Sequence, residues 1–87
     1  MNAAAPQFHS VVLAGERPGG SPLARRFDVS AGVMVPVAGK PCLERVLHAI
    51  EDSRLVGGGI VCGPAADVVR ADAGLRKLLR NPVHHWL

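Results

Sequence analysis

The sequence predicts an α/β fold in which parallel strands form a sheet with helices on both faces, a three-layer αβα arrangement. Short apolar runs alternate with segments of helical periodicity in the order strand, loop, helix, strand, helix, strand. Such alternation is typical of parallel strands joined by right-handed crossovers, and parallel sheets are usually covered by helices on both faces. Apolar residues make up 48% of the 87 residues, which is a globular composition for a chain of at most one domain.

The first strand and a long loop come from the opening third of the chain. Residues 8–14 read FHSVVLA, a short apolar run that suits a buried strand and ends at Gly15. Residues 15–31 contain several glycines and prolines, so their first part is expected to be loop, with a helical turn over residues 23–27. Residues 33–37 are expected to form a second short extended segment.

A helix is predicted over residues 41–53. Pro41 stands at the first helical position, where its fixed φ is favourable. Glu44 lies in the first turn, where the helix dipole favours an acid. The glycines at residues 57–59 limit the helix on its carboxyl side. The apolar residues that follow the helical spacing are Leu43, Val46, Leu47 and Ile50.

The rest of the chain predicts a strand, a second helix and a third strand. Residues 60–62 form a short apolar run, and residues 65–69 suit a helical turn. A second amphipathic pattern follows, which Asn81 before Pro82 ends, and residues 83–87 are expected to start another strand. Two helices and three strands are few for a parallel sheet covered on both faces, and the last strand reaches the last residue. The fold is therefore expected to be truncated. The apolar positions of the second pattern are Ala71, Leu75, Leu78 and Leu79.

Composition and charge argue against several classes of protein. The net charge is +3, and the ten basic residues are interleaved with seven acidic ones, so there is no basic tract for nucleic acid and no series of stacking aromatics. No apolar run approaches the roughly 20 residues of a membrane span, and the start lacks the pattern of a secretory signal. Two cysteines are too few for a disulfide framework. We therefore expect a cytoplasmic protein that contacts neither nucleic acid nor membrane.

Common phosphate-loop and metal motifs are not met. In MVPVAGKP, Met34 replaces the first glycine of a Walker A loop and Pro41 replaces its Ser or Thr. A G-x-G-x-x-G fingerprint fails at its last position, which is Cys62. His84 and His85 are adjacent, so on a strand they would point to opposite faces and could not chelate one ion. The spacing of these residues predicts no metal site.

Two other segments carry a specific pattern: VVLAGERPGGSPLA at residues 11–24 and VMVPVAGKPCLERVLHAI at residues 33–50. They resemble the two opening signatures of the MobA-like NTP-transferase family, in which a strand runs into an LAG-type loop with an arginine and a PVAGKP-like turn precedes a helix. The resemblance covers most of residues 11–87. It implies a Rossmann-like, GT-A-like nucleotidyltransferase fold, of which residues 1–87 would be an incomplete amino-terminal part.

The resemblance implies a nucleotide site in the first loop. Backbone groups of Leu13, Ala14 and Gly15 would face the base and ribose of an NTP, because ligands of open α/β sheets lie beyond the carboxyl ends of the strands. Gly19 and Gly20 would let backbone amides approach phosphate oxygens. A purely structural role is the alternative at each position, in the core strand for Leu13 and Ala14 and in turns for the glycines.

Two cations are candidates for contact with the phosphates. Arg17 is the catalytic candidate, since a forked guanidinium can neutralise a triphosphate. Lys40, in the turn before the predicted helix, is a candidate for a phosphate or substrate contact. For both, a solvated surface position is the alternative.

The sequence departs from the family at two points. The family's usual lysine before the PVAGKP-like turn is Gly32 here, and the candidate replacements are Arg25, Arg26 and Lys40. The family's aspartate that binds Mg²⁺ lies on a strand further along than Leu87. Mg²⁺ is therefore the cofactor that the resemblance implies, but no residue of this chain is assigned as its ligand. Phosphoryl transfer depends on metal and positioning, so the 87 residues alone are expected to be inactive.

The function implied is transfer of the NMP group of an NTP to a phosphate or hydroxyl acceptor, with release of pyrophosphate. The expected partners are a nucleoside triphosphate and a small-molecule acceptor, with self-association through an exposed sheet edge as a further expectation. A noncatalytic nucleotide-binding or interaction module, or a truncated remnant, is the main alternative. A sugar transferase of the GT-A kind is another, but it would need a D-x-D-like motif that this sequence lacks.

Overall fold

The computed structural model of the protein describes residues 8–16 and 19–87. Its helices and strands follow the predicted alternation, with extra short elements in the first half. In chain order they are β1 Phe8–Leu13, α1 Pro22–Phe27, a 3₁₀ helix Gly32–Met34, β2 Pro36–Val37, β3 Lys40–Pro41, α2 Cys42–Asp52, β4 Val56–Cys62, α3 Ala66–Arg70, α4 Ala73–Leu79 and β5 His84–Trp86.

The main sheet has three strands in the order β1-β4-β5, and both pairs are parallel. Val12 pairs with Val61 in the central strand β4, and Val61 pairs with Trp86 on the other side. The predicted α/β fold with parallel strands is confirmed in this respect, and the architecture is compatible with a Rossmann-like fold.

A small hairpin precedes α2, where the sequence indicated only one extended segment over residues 33–37. The first part of that segment is the 3₁₀ helix, and β2 pairs with β3 in antiparallel fashion. The turn residues Ala38 and Gly39 have φ of 50° and 84°, as a two-residue turn matching the strand twist requires. Arg45 of α2 donates from Nε to the Val37 carbonyl at 2.6 Å and from Nη2 to the Ala38 carbonyl at 2.8 Å. These bonds fasten the hairpin to α2.

The core lies on one face of the sheet. Helices α2, α3 and α4 all contribute to the same apolar cluster, which packs on inward-facing residues of the strands. Burying a leucine side chain contributes about 1.5–3 kcal/mol, so the amphipathic pattern of the sequence accounts for the main stabilising contacts. The buried members of the cluster are Ala14, Leu43, Leu47, Val61, Val69, Leu75 and Leu78.

In the described part of the chain, the opposite face of the sheet is largely exposed, which differs from the expected three layers. Val11 and Leu13 are 65% and 80% exposed, and Ile60 beside Val11 is 38% exposed. Ser10, Val12 and Ala14 alternate with them on the covered face, because successive side chains of a strand point to opposite sides. Leu13 is therefore not a core residue, whereas Ala14 is fully buried.

The central strand includes the glycines that the sequence suggested would lie between elements. Strand β4 begins at Val56 rather than at residue 60. A Cβ at Gly59 would collide with the Ser10 carbonyl of β1, and one at Gly58 would collide with the Val83 carbonyl that precedes β5. Glycine generally weakens a strand but permits such close backbone approach, so these glycines are here a requirement of the packing.

A polar contact network joins α2 to Asn81, which precedes β5, and to His84, the first residue of β5. Glu51 Oε2 accepts a hydrogen bond from Asn81 Nδ2 at 2.6 Å and lies 3.0 Å from His84 Nε2. The imidazole of His84 is 1% exposed. An ionised carboxylate can only accept, so this contact is a hydrogen bond when the Nε2 atom of His84 is the donor.

We expect Glu51→Ala to lower the free energy of unfolding by about 1–3 kcal/mol, because the buried imidazole of His84 and the Asn81 amide lose their acceptor. Asp52→Ala, at the neighbouring exposed position, should change it by no more than about 0.5 kcal/mol. Urea denaturation of the two variants measures the difference. Equal losses would show that the Glu51 contacts contribute nothing specific.

Candidate functional site

The candidate site lies where β1 and β4 end side by side. The pairing continues past β1, since the Ala14 amide donates to the Cys62 carbonyl at 2.8 Å. Gly15 and Gly63 then meet: a Cβ at Gly63 would come within 2.8 Å of the Gly15 backbone, and φ of Gly63 is +80°. Glycine is the residue that tolerates both conditions. The loops after the two strands are thereby held together at the sheet edge where α/β proteins bind ligands.

A cavity of about 270 Å³ opens beside this contact. It lies between the loop after β1, the start of α1 and the 3₁₀ helix, so it combines residues of the first signature with the segment that opens the second. The sequence gave no indication that residues 15–22 and residues 32–33 would line one cavity. The lining residues are Gly15, Glu16, Gly20, Ser21, Pro22, Gly32 and Val33.

The loop is shaped by its glycines and by α1. Gly19 and Gly20 have φ of +87° and +84°, a region that side chains other than glycine rarely adopt. The Ser21 Oγ accepts from the Ala24 amide at 3.2 Å as the cap of α1. Arg25 of α1 reaches back, and its Nη1 donates to the Gly19 carbonyl at 3.2 Å. The guanidinium of Arg25 therefore lies next to the Gly19–Gly20 turn.

An acidic side chain ties the two walls of the cavity together. Glu16 Oε1 accepts a hydrogen bond from the Gly32 amide at 2.5 Å. A charged acceptor makes this bond stronger than one between neutral groups. The contact crosses from the loop after β1 to the start of the 3₁₀ helix.

The predicted site residues are partly brought together. Gly15 and Gly20 line the cavity, and Gly19 adjoins Gly20 in the same turn. Ala14 and Leu13 precede Gly15, with the side chain of Ala14 in the core and that of Leu13 on the open face. The catalytic candidate Arg17 lies outside the described residues.

Lys40 lies apart from this cavity. It is an exposed residue of β3 and borders a shallow depression along α2 together with Arg45, His48 and Asp52. The bonds from Arg45 to the hairpin hold β3 in this place. The structure thus brings Lys40 near α2 side chains rather than near the Gly19–Gly20 turn.

Several lining residues were not anticipated from the sequence. Glu16 stands between Gly15 and Arg17, and a charge inside a glycine-rich loop is a signal that could have indicated it. Ser21 and Pro22 carried the signature of a helix cap followed by a first helical residue. The sequence indicates Gly32 only as the position of a missing lysine, whereas in the structure its amide donates a hydrogen bond to the Glu16 carboxylate.

The charges around the cavity have a polarity. Glu16 is the charged side chain among the described residues that line it. Arg25 Nη1 lies 3.6 Å from where a Cβ of Gly20 would stand, so a positive group flanks the wall formed by the turn. A carboxylate therefore lines the cavity, and a guanidinium lies beside Gly20 of the turn.

Metal-binding groups do not cluster in the described part of the chain. No three or more His, Cys, Asp or Glu residues within residues 8–16 and 19–87 are placed to hold one ion. His84 is buried and His85 exposed, which confirms that they point to opposite faces of the sheet.

Gly63 and Gly15 offer a matched test of the loop contact. Gly63→Ala should lower the free energy of unfolding by about 1–3 kcal/mol, because its methyl group would overlap the Gly15 backbone. Gly15→Ala should change it by no more than about 0.5 kcal/mol, since a Cβ there meets no atom within 4 Å. Chemical denaturation provides the measurement. Similar stabilities of the two variants would contradict the described approach of the loops.

The chain matches no family model, no curated protein and no solved structure. Among the described helices, none is long and apolar enough to cross a membrane.

Proposed function

We propose that the chain is the nucleotide-binding, amino-terminal part of a nucleotidyltransferase-type domain with a GT-A-like fold, and that its ligand is a nucleoside triphosphate. The main support is the cavity at the carboxyl end of β1, which is lined by Gly15 and Gly20 of the first signature and by Val33 of the second. Two segments that resemble one family's signatures thus form one concave surface.

The loop after β1 has the properties that a nucleotide requires. Gly15 and Gly20 line the cavity without side chains, so a base, a sugar or a phosphate can approach the backbone closely. Open α/β sheets bind ligands at this edge. Binding of the NTP at the loop would leave its phosphates near the Gly19–Gly20 turn, where backbone groups are exposed.

Arg25 is the described cation best placed to take over the role of the lysine absent at Gly32. Its guanidinium lies at the base of the Gly19–Gly20 turn. Guanidinium groups present five N–H donors, so the bond to the Gly19 carbonyl leaves others for phosphate oxygens. Arg17 remains the proposed catalytic residue on the strength of the resemblance alone.

The proposed reaction belongs to a complete domain. There, an acceptor phosphate or hydroxyl would attack the α-phosphorus of the NTP, and pyrophosphate would leave. Lys40, which lies outside the cavity beside α2, is proposed to contact the substrate from that side. The position of Lys40 suits a contact to the substrate better than a contact to phosphates at the Gly19–Gly20 turn.

The described residues do not by themselves form a site for the Mg²⁺ that the resemblance implies. The cavity contributes one carboxylate, Glu16, and its Oε1 is engaged by the Gly32 amide. No larger group of ligands is placed together among the described residues. No step of the reaction is therefore assigned to a metal held by these residues.

A noncatalytic nucleotide-binding or interaction module is the second candidate function. Gly32 replaces the expected lysine, and an acid faces the cavity, both of which favour binding without transfer. The open apolar face of the sheet favours contact with another protein surface. Nucleotide binding with no pyrophosphate release in the presence of acceptors would support this candidate over the transferase.

The first test of the proposed function is calorimetric titration of the chain with the four ribonucleoside triphosphates. At least one should bind, and Gly15→Ala should weaken that binding about tenfold or more, because the added methyl group narrows the cavity at a cost of about 1–3 kcal/mol. The same variant is expected to keep its stability, which controls for unfolding. The proposal is wrong if the unaltered chain binds none of the four at millimolar concentration.

The second test separates Arg25 from its neighbour. We expect Arg25→Ala to weaken triphosphate binding by about tenfold, since hydrogen bonds to charged groups contribute about 1.5–3 kcal/mol, while affinity for the corresponding nucleoside changes little. Arg26→Ala removes the same charge from the next residue of α1, which is exposed, and serves as the matched control. An equal effect of both variants would show only a general loss of positive charge.

A further inference from the structure

The orientation of the ligand in the cavity can be inferred from the positions of two opposite charges. Glu16 faces the cavity at the end formed by Gly15 and Gly32. Arg25 lies next to the Gly19–Gly20 turn, with its Nη1 bonded to the Gly19 carbonyl. A ligand that is negative at one end and rich in hydroxyl or amino donors at the other complements this arrangement, and a nucleotide is such a ligand.

The carboxylate of Glu16 is held in place rather than free to turn away. Its Oε1 accepts from the Gly32 amide at 2.5 Å. A Cβ at Gly32 would stand 3.0 Å from Ser21 Oγ and 3.5 Å from Glu16 Oε1. Glycine at this position therefore leaves the room in which the carboxylate sits, and a larger residue would crowd it.

Like charges decide which part of a nucleotide can lie beside Glu16. A phosphate placed against the carboxylate would be repelled. A carboxylate has roughly four lone-pair sites, so after accepting from Gly32 it can still accept from ligand donors. The hydroxyl groups of a ribose and the amino groups of a base provide such donors.

From this polarity we infer that Glu16 is a specificity-determining residue that accepts hydrogen bonds from the nucleoside part of the ligand, while the phosphates lie toward the Gly19–Gly20 turn and Arg25. The inference rests on the proposed function and deepens it. It states which end of the nucleotide meets which wall of the cavity. It also makes Glu16, which the sequence pattern did not single out, the residue that distinguishes a nucleotide from a bare polyphosphate.

The test compares two kinds of ligand on three variants. Ribonucleoside triphosphates and inorganic tripolyphosphate are titrated into the unaltered chain, Glu16→Ala and Glu16→Gln. Asp67→Asn, which removes one exposed acid of α3 away from the cavity, is the control. We expect Glu16→Ala to weaken nucleotide binding about tenfold and to leave tripolyphosphate binding unchanged or a few-fold tighter. Glu16→Gln, which keeps an acceptor oxygen, should show a smaller loss.

Ligands that lack single donors identify the group that Glu16 contacts. The contact is to the ribose if 2′-deoxy or 3′-deoxy nucleotides bind the unaltered chain more weakly than ribonucleotides do, while both kinds bind Glu16→Ala with equal affinity. If Glu16→Ala instead loses discrimination among bases, the contact is to the base. Either result supports the inference, since both are donors of the nucleoside part.

Three results would overturn the inference, and one of them would also refute the proposed function. Equal tightening of nucleotide and tripolyphosphate in both Glu16 variants would show that the carboxylate faces the phosphates. Unchanged affinities for all ligands would show that Glu16 does not contact the ligand. If the unaltered chain binds neither kind of ligand, the proposed function fails as well. Melting temperatures of the variants exclude unfolding as the cause of any loss.

Discussion

The close approach of backbones at glycine is the constraint on which the rest of the structure depends. Strand β4 lies between two neighbours, with Gly59 against the Ser10 carbonyl and Gly58 against the Val83 carbonyl. At the end of the same strand, Gly63 lies against Gly15. These contacts bring the loops after β1 and β4 together, so the cavity follows from the packing of the sheet. Side chains at these positions would push the strands apart and open the site.

Helices cover and stabilise one face of the sheet, and apolar side chains on the other face are left exposed. Helices α2, α3 and α4 share one apolar cluster, while Val11, Leu13 and Ile60 remain exposed on the other face. Parallel sheets usually bury both faces, so this surface is unusual for an isolated chain. Contact with another protein surface through this face is part of the second candidate function.

Two opposite charges lie at the cavity, a carboxylate in its lining and a guanidinium beside the Gly19–Gly20 turn. Arg25 comes from α1 and Glu16 from the loop after β1, and each is fixed by a hydrogen bond to a glycine of the opposing segment, Gly19 or Gly32. Lys40 is held elsewhere by the bonds from Arg45 to the hairpin. A nucleotide has negative phosphates for the guanidinium and hydroxyl or amino donors for the carboxylate. The charges at the cavity therefore support a nucleotide ligand as much as its shape does.

The sequence by itself determined the alternation of elements, the amphipathic helices and the loop at the end of β1, because these depend on local periodicity and on glycine and proline geometry. It also indicated Gly15 and Gly20 as site residues through their resemblance to a family signature. Only the tertiary structure decided that the glycines before Ile60 belong to the central strand, that Leu13 faces outward, and that Glu16 meets Gly32 across the cavity. Each of these depends on which segments lie side by side, and contacts between residues distant in sequence leave no local pattern by which to predict them.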